Sequence, residues 1–192
     1  MDFLWTDGTT PTPGEPLRED VHTEVCVIGG GMAGVLCAAQ LTARGIDNVL
    51  LEARQIGEGI TKGTTAVLTA QHDILYRDIA NLYGMERAQQ YLRANLDALA
   101  QFRALAQHID CALETRPSVM YSLTGQDHLR EEAELLHELG FDAVYTTDPQ
   151  LPLPVADAVI YPDMAQFHPL RFLNTAAKGL RMYEHTFVTA LD

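Results

Sequence analysis

The sequence predicts an α/β fold: a parallel sheet with helices, interrupted by a mostly helical α+β insertion. Three observations carry that expectation. A short apolar run with β-branched residues, Glu24 to Ile28, reads as a buried strand, and Gly29, Gly31 and Gly34 follow it at G-x-G-x-x-G spacing. From Met32 the apolar period lengthens to that of a helix, with Val35, Leu36, Ala38, Ala39 and Leu41 on one face. Gly45 closes that helix, and a second apolar run, Val49 to Leu51, ends on Glu52.

Each part of this strand–helix–strand unit has a chemical reason to bind a dinucleotide. Gly29 permits the tight turn out of the strand. Gly31 lacks a Cβ, so a pyrophosphate can approach the backbone, and Gly34 lets helix and strand pack closely. The amides at the helix start, around Met32 and Ala33, face the phosphate, and the helix dipole favours its charge. Glu52 is positioned to accept hydrogen bonds from a ribose diol. Glycine-rich turns also occur in ordinary α/β domains. Here the strand, the helix, the second strand and the terminal acid all fall in register.

Length and composition bound the rest. A chain of 192 residues can bury one good core, or one domain with a sizeable insertion. With 47% apolar and 20% charged residues it is globular in composition. A formal charge of −13 disfavours nucleic acid and an anionic membrane surface as partners. No segment has the length of a membrane span, and the stretch Met1 to Pro16 lacks the basic and apolar regions of a signal peptide. The three cysteines, Cys26, Cys37 and Cys111, are too few and too scattered for a zinc or iron–sulfur site, so no metal is expected. Cys26 in the first strand and Cys37 on the first helix are expected to be buried. An odd count without a pairing pattern fits a reducing cytoplasm.

Along the chain, Met1 to His22 is a Pro/Gly/Thr-rich arm, expected to be extended with Trp5 docked on the body. Ala53 to Thr69 is dense in glycine and threonine. It reads either as a loop offering amides and hydroxyls to a phosphate or flavin, or as a plain flexible loop. Helices are expected over Ile74–Tyr83, Met85–Ile109 and Gly125–Leu139, the last presenting Glu131, Glu132 and Glu134 as a solvated face. Extended structure is expected over Ala112–Leu123, Phe141–Thr146 and Val159–Tyr161. Pro169–Met182 reads as a helix with proline in its first turn, and Thr186–Leu191 as a final strand. The expected domain organisation is a nucleotide-binding core over residues 1–73, an insertion over 74–166 and a return to the core over 167–192. His72 is expected to cap the helix after it, and His168 to be a turn residue.

At this point the residues resemble a known family. VIGGGMAG (Val27 to Gly34), Ala38, Leu41, Gly45 and LLEA (Leu50 to Ala53) resemble FAD-dependent oxidoreductases of the D-amino-acid oxidase and glycine oxidase type. IGEGITKGTTAVLTAQHDILY (Ile56 to Tyr76), the aromatic pair around Trp5, and QFHPLRFL (Gln166 to Leu173) resemble a subgroup that often carries a C-terminal Rieske domain. The resemblance implies an FAD/NAD(P)-binding Rossmann-like fold and covers only the N-terminal part of such a protein, so the chain is expected to be C-terminally incomplete. It implies that Gly29, Gly31 and Gly34 hold the FAD pyrophosphate. Glu52 would bind the adenosine ribose, with Ala53 and Arg54 on the adenine side. Thr61, Thr64, Thr65 and Ala66 would line the phosphate and flavin side, and the backbone of Val188 would touch the adenine.

Two departures bear on the active site. Lys62 stands where the subgroup has glycine, and Val67 stands where it has lysine, which by the resemblance removes a cation that could sit near the flavin. The reaction the resemblance implies is hydride removal from a carbon next to an amine or hydroxyl of a small-molecule substrate, with flavin as acceptor. Catalytic residues are not identified. FAD is expected to be held weakly or lost on purification. A Rieske domain or other electron-transfer partner would lie outside this chain, and self-association through the exposed edge at Thr186–Leu191 is expected. Two alternatives stay open on the residues alone: an NAD-dependent dehydrogenase domain, since ribose and pyrophosphate are common to both cofactors, and a non-catalytic nucleotide-binding or interaction domain.

Overall fold

The computed structural model describes residues 3–9, 14–125 and 128–191. The chain divides into two compact units. The first comprises Met1–Ala66, His108–Cys111 and His168–Asp192, and the second Val67–Gln107 and Ala112–Phe167.

In the first unit, β1 (Val25–Ile28), α1 (Met32–Ala43) and β2 (Asn48–Leu51) follow one another, and β1 pairs with β2 in parallel. The turn between β1 and α1 is sharp because Gly29 takes φ +106°, a conformation that L side chains rarely adopt. α1 ends as expected at Gly45, also left-handed at φ +71°, with the Ile46 amide donating back to the Leu41 carbonyl at 3.1 Å. α5 (Pro169–Ala176) packs near α1, and Val35, Ala38, Leu50, Ile56, Leu173 and Ala177 form this unit's core.

The third strand differs from the expectation. β7 is the pair Met182–Tyr183, beside β2 in parallel, and no strand forms over Thr186–Leu191. α5 stops at Ala176 because Gly179 turns the chain at φ +82°, so the chain reaches the sheet edge earlier. Residues after Tyr183 still run beside the loop after β2, the Thr186 amide donating to the Glu52 carbonyl at 2.9 Å. The edge pairing expected at Thr186–Leu191 therefore has no strand behind it.

The two cysteines expected to be buried are exposed. In β1 the side chains alternate: Val27 packs on the core, whereas Cys26 and Ile28 point the other way, and Ile28 is 52% exposed. Cys37 lies on α1 off the stripe formed by Val35 and Ala38. Cys111 is buried.

The second unit is an antiparallel sheet with helices. β3 (Val67–Leu68) and β4 (Glu114–Ser122) flank β6 (Asp157–Gln166), and β5 (Val144–Thr146) also pairs with β6. α2 (Leu75–Tyr83), α3 (Met85–Ala106) and α4 (Leu129–Glu138) complete it. Its core gathers Tyr76, Leu92, Leu129, Leu136, Val159, Tyr161 and Met164. β6 is far longer than the Val159–Tyr161 run. The strand passes through Pro162 and Asp163 because the register shifts there, between Arg116 and Ser118 on the partner, so that Pro117, Pro162 and Asp163 all fall where the ladder is already broken.

The acidic face of α4 is not wholly solvated. The Glu132 side chain is fully buried and its carboxylate accepts from the amides of Tyr76 and Arg77 at the start of α2. It does the capping expected of His72, whose Nδ1 lies 3.3 Å from the Tyr91 hydroxyl.

Candidate functional site

The glycine-rich turn, Glu52 and the loop that follows form one surface of the first unit. Three glycines there have three different physical causes. Gly29 is set by its backbone conformation. Gly34 is set by packing, since a Cβ on it would collide with the Gly29 carbonyl oxygen. Gly31 is set by neither. Its φ of −80° and ψ of −176° suit any residue, and a Cβ there would meet only the Thr61 Oγ1, at an ordinary 3.5 Å. The protein's own packing leaves room in front of Gly31 that a side chain would fill.

That room is lined with donors. Gly31 is the N-cap of α1 and makes no side-chain cap hydrogen bond. The first-turn amides of Ala33 and Gly34 have no acceptor within the helix, by its geometry. The Met32 amide donates to Thr61 Oγ1 at 3.2 Å. Because that oxygen accepts, its own hydroxyl hydrogen is free to turn towards an anion in front of Gly31. Thr61 is buried in a short 3-10 turn, Ile60–Gly63, tied down by the Lys62 amide donating to the Gly57 carbonyl at 3.1 Å.

Glu52 sits just past β2. Its Oε2 accepts from the Gly30 amide at 2.6 Å and its Oε1 from the Arg54 amide at 2.8 Å. A carboxylate has about four lone-pair positions, so both oxygens retain capacity for a diol. Ala53 and Arg54 are exposed beside it. The Arg54 carbonyl accepts from the His185 amide at 2.9 Å, which brings the last segment alongside. Val188 lies three residues further on, half-buried and outside any strand.

The other threonines are used differently. The Thr64 carbonyl accepts from Trp5 Nε1 at 2.8 Å, and its hydroxyl accepts from the Ala66 amide at 3.3 Å, so its polar groups hold the loop and the arm. Thr65 is exposed. Ala66 is buried in a left-handed conformation, φ +59°, which is costly for a residue with a Cβ. The arm is docked through Trp5 as expected, but in a short 3-10 turn, Leu4–Thr6, rather than an extended run. The Trp5 ring also meets the edge of His168, 5.2 Å between centroids. Burial first, and then Arg171, hold the His168 imidazole below its ordinary pKa. In the neutral form its Nδ1 accepts the Arg171 amide at 3.3 Å and caps α5. Lys62 is drawn towards the arm, with its Nζ 3.8 Å from Glu58 and 5.2 Å from the centre of the Phe3 ring. Val67, in the lysine position, is 48% exposed.

Sequence reasoning missed Glu184. It is buried, and its two oxygens accept the Ile56 amide at 2.7 Å and the Gly14 amide at 2.5 Å. The carboxylate thereby joins the last segment, the loop after Glu52 and the arm. The available signal was a lone acid straight after an apolar strand end, Met182–Tyr183.

The family model described as FAD dependent oxidoreductase matches residues 24–192. The chain is 34% identical over 200 residues to YhfW of Bacillus subtilis (strain 168), named as a Rieske 2Fe-2S iron-sulfur protein; the match covers 100% of this chain and 39% of that protein. It is 35% identical over 77 residues to γ-glutamylputrescine oxidoreductase of Escherichia coli (strain K12), covering 40% of this chain and 18% of the relative. Among solved structures, an L-amino acid deaminase from Proteus vulgaris superposes with a TM-score of 0.70 at 16% identity, covering 94% of this chain and 50% of that one. Glycine oxidase from Geobacillus kaustophilus superposes at 0.64 and 20% identity, covering 85% and 46%. The chain thus spans 39% of the length of its YhfW relative and half or less of these solved structures.

Proposed function

The chain belongs to the FAD-dependent oxidoreductase family, and from that premise we propose that it supplies the adenosine-diphosphate-binding part of an enzyme oxidising an amine- or hydroxyl-bearing small molecule. The observation that carries this reading is Gly31: neither backbone strain nor packing requires glycine there, and the room in front of it faces unpaired amides. A pyrophosphate in that room would take hydrogen bonds from the Ala33 and Gly34 amides and the Thr61 hydroxyl, in the field of the α1 dipole. Glu52 would hold the ribose through the capacity its two amide partners leave over. Ala53, Arg54 and the Val188 backbone would border the adenine, and Thr65 the flavin side.

FAD, when bound, supplies the hydride acceptor. The residues of this chain bind and orient it, and the buried Glu184 keeps the loop and the last segment together around it. The name of the Bacillus subtilis relative supports a Rieske-type cluster as the onward electron carrier, held outside these residues. The odd count of three scattered cysteines supports a cytoplasmic location, and among the described residues no helix is long and apolar enough to cross a membrane.

The test is a pair of calorimetric titrations, with FAD and with ADP, on the purified chain. The account predicts saturable binding of both with affinities within about tenfold of each other, since an unheld flavin half adds little. FAD is then lost on gel filtration. FAD that stays stoichiometric through gel filtration would mean that the flavin site is complete within these residues. NAD binding with no response to FAD would turn the reading to a nicotinamide dehydrogenase.

A further inference from the structure

The turn Ile60–Gly63 that carries Thr61 is short, and its first residue adds little packing, since Ile60 is 90% exposed. The three residues after Thr61 each meet the N-terminal arm. The Lys62 ammonium lies 5.2 Å from the centre of the Phe3 ring. That ring also lies against Gly63, where a Cβ would come within 3.1 Å of Phe3 Cε1. The Thr64 carbonyl accepts from Trp5 Nε1 at 2.8 Å. Gly63 has no left-handed backbone that would call for glycine, so the Phe3 ring is its physical cause.

The arm is built to make these contacts. Leu4, between the two aromatic residues, is 78% exposed, so the arm docks through the Phe3 and Trp5 rings. It holds its own turn, the Thr6 amide donating to the Phe3 carbonyl at 3.0 Å and the Thr9 hydroxyl to the Trp5 carbonyl at 3.0 Å. It also precedes the span that the family model matches, residues 24–192. On the other side of the turn, Thr61 Oγ1 accepts the Met32 amide. Hydrogen bonds weaken steeply with distance and angle. A small shift of residues 62–64 would therefore carry the Thr61 hydroxyl off an anion in front of Gly31.

We infer, on the adenosine-diphosphate reading of the site, that Phe3 and Trp5 are positioning residues for the Thr61 hydroxyl, so that docking of the arm and binding of a diphosphate favour each other. The coupling is reciprocal: what the docked arm adds to ligand affinity, the ligand adds to docking of the arm.

The experiment uses ADP and the full chain. Trp5→Phe keeps a ring and removes the donor to Thr64. Calorimetry should give an ADP affinity about fivefold weaker, the net worth of one hydrogen bond. In a Thr61→Ala background the same substitution should have no further effect. Trp5 is the chain's single tryptophan, so its access to acrylamide reads the arm directly. In the wild type that access should fall as ADP saturates the site. Gly63→Ala is the second variant, because its methyl crowds Phe3 and leaves Trp5 in place. It should raise acrylamide access and weaken ADP binding severalfold. Unchanged ADP affinity in either variant, an equal loss in the Thr61→Ala background, or Trp5 access unmoved by ADP would overturn the coupling and leave the ADP site standing. No ADP binding by the wild type would overturn both.

Discussion

The Glu132 carboxylate on α4 accepts hydrogen bonds from the amides of Tyr76, at 3.1 Å, and Arg77, at 3.0 Å, and so caps α2 from another helix. Burial, against the pull of those two amides, pushes its pKa up from the ordinary carboxylate value. Glu132→Ala would strand both amides and should cost about 2–3 kcal/mol, read as a lowered urea midpoint. Glu132→Gln keeps one acceptor and should cost less.

The same group sets a pH dependence. A raised pKa in the fold means that the native state holds its proton at pH values where the unfolded chain has released it. The stability contribution is therefore full below the ordinary value of 4.5 and is lost as pH rises through the raised one. The stability gap between the wild type and Glu132→Gln should narrow across that window. A gap that widens there would show that the capping hydrogen bonds outweigh burial.

Why this cap was not legible in the sequence is a matter of distance. The run Glu131, Glu132, Glu134 has the look of a solvated face, and only the arrival of α2, more than fifty residues earlier in the chain, buries its middle member. The dinucleotide-type unit was legible because its causes are local: the Gly29 turn, the Gly34 contact and the Gly45 cap each act within a few residues. Strand pairing is not local. Thr186–Leu191 has a strand's composition, but the edge of β2 is taken by Met182–Tyr183, and β6 was hidden by Pro162, which only the opposing irregularity at Pro117 accommodates. Within the site, Gly31, Glu52 and Thr61 do converge. Thr64 turns out to hold the arm, and Glu184 was found only through its partners.

Glu184→Ala should loosen three segments together. It would remove the acceptor for the Gly14 and Ile56 amides, one of them buried, at a cost of about 2 kcal/mol. Because Trp5 is the chain's single tryptophan, its emission reports whether the arm stays docked. A red shift of that emission in the variant, before global unfolding in urea, is the expected result.

Thiol chemistry checks the open face of β1. Cys26 and Cys37 are exposed and Cys111 is buried. A disulfide-exchange reagent added to native protein should modify two thiols quickly and the third only on unfolding. A single fast thiol, located on Cys37 by peptide mapping, would mean that Cys26 is covered.

The central claim is that Gly31 is glycine for a ligand and Gly34 for the fold. The most direct measurement is calorimetric titration of ADP into the wild type and Gly31→Ala, with Gly34→Ala as the structural comparison. The account predicts that Gly34→Ala unfolds or melts far lower, because its Cβ meets the Gly29 backbone. Gly31→Ala should melt within about one degree of the wild type, there being room for the methyl, yet bind ADP at least about tenfold more weakly. Unchanged ADP affinity in a folded Gly31→Ala, or no ADP binding by the wild type, would contradict it.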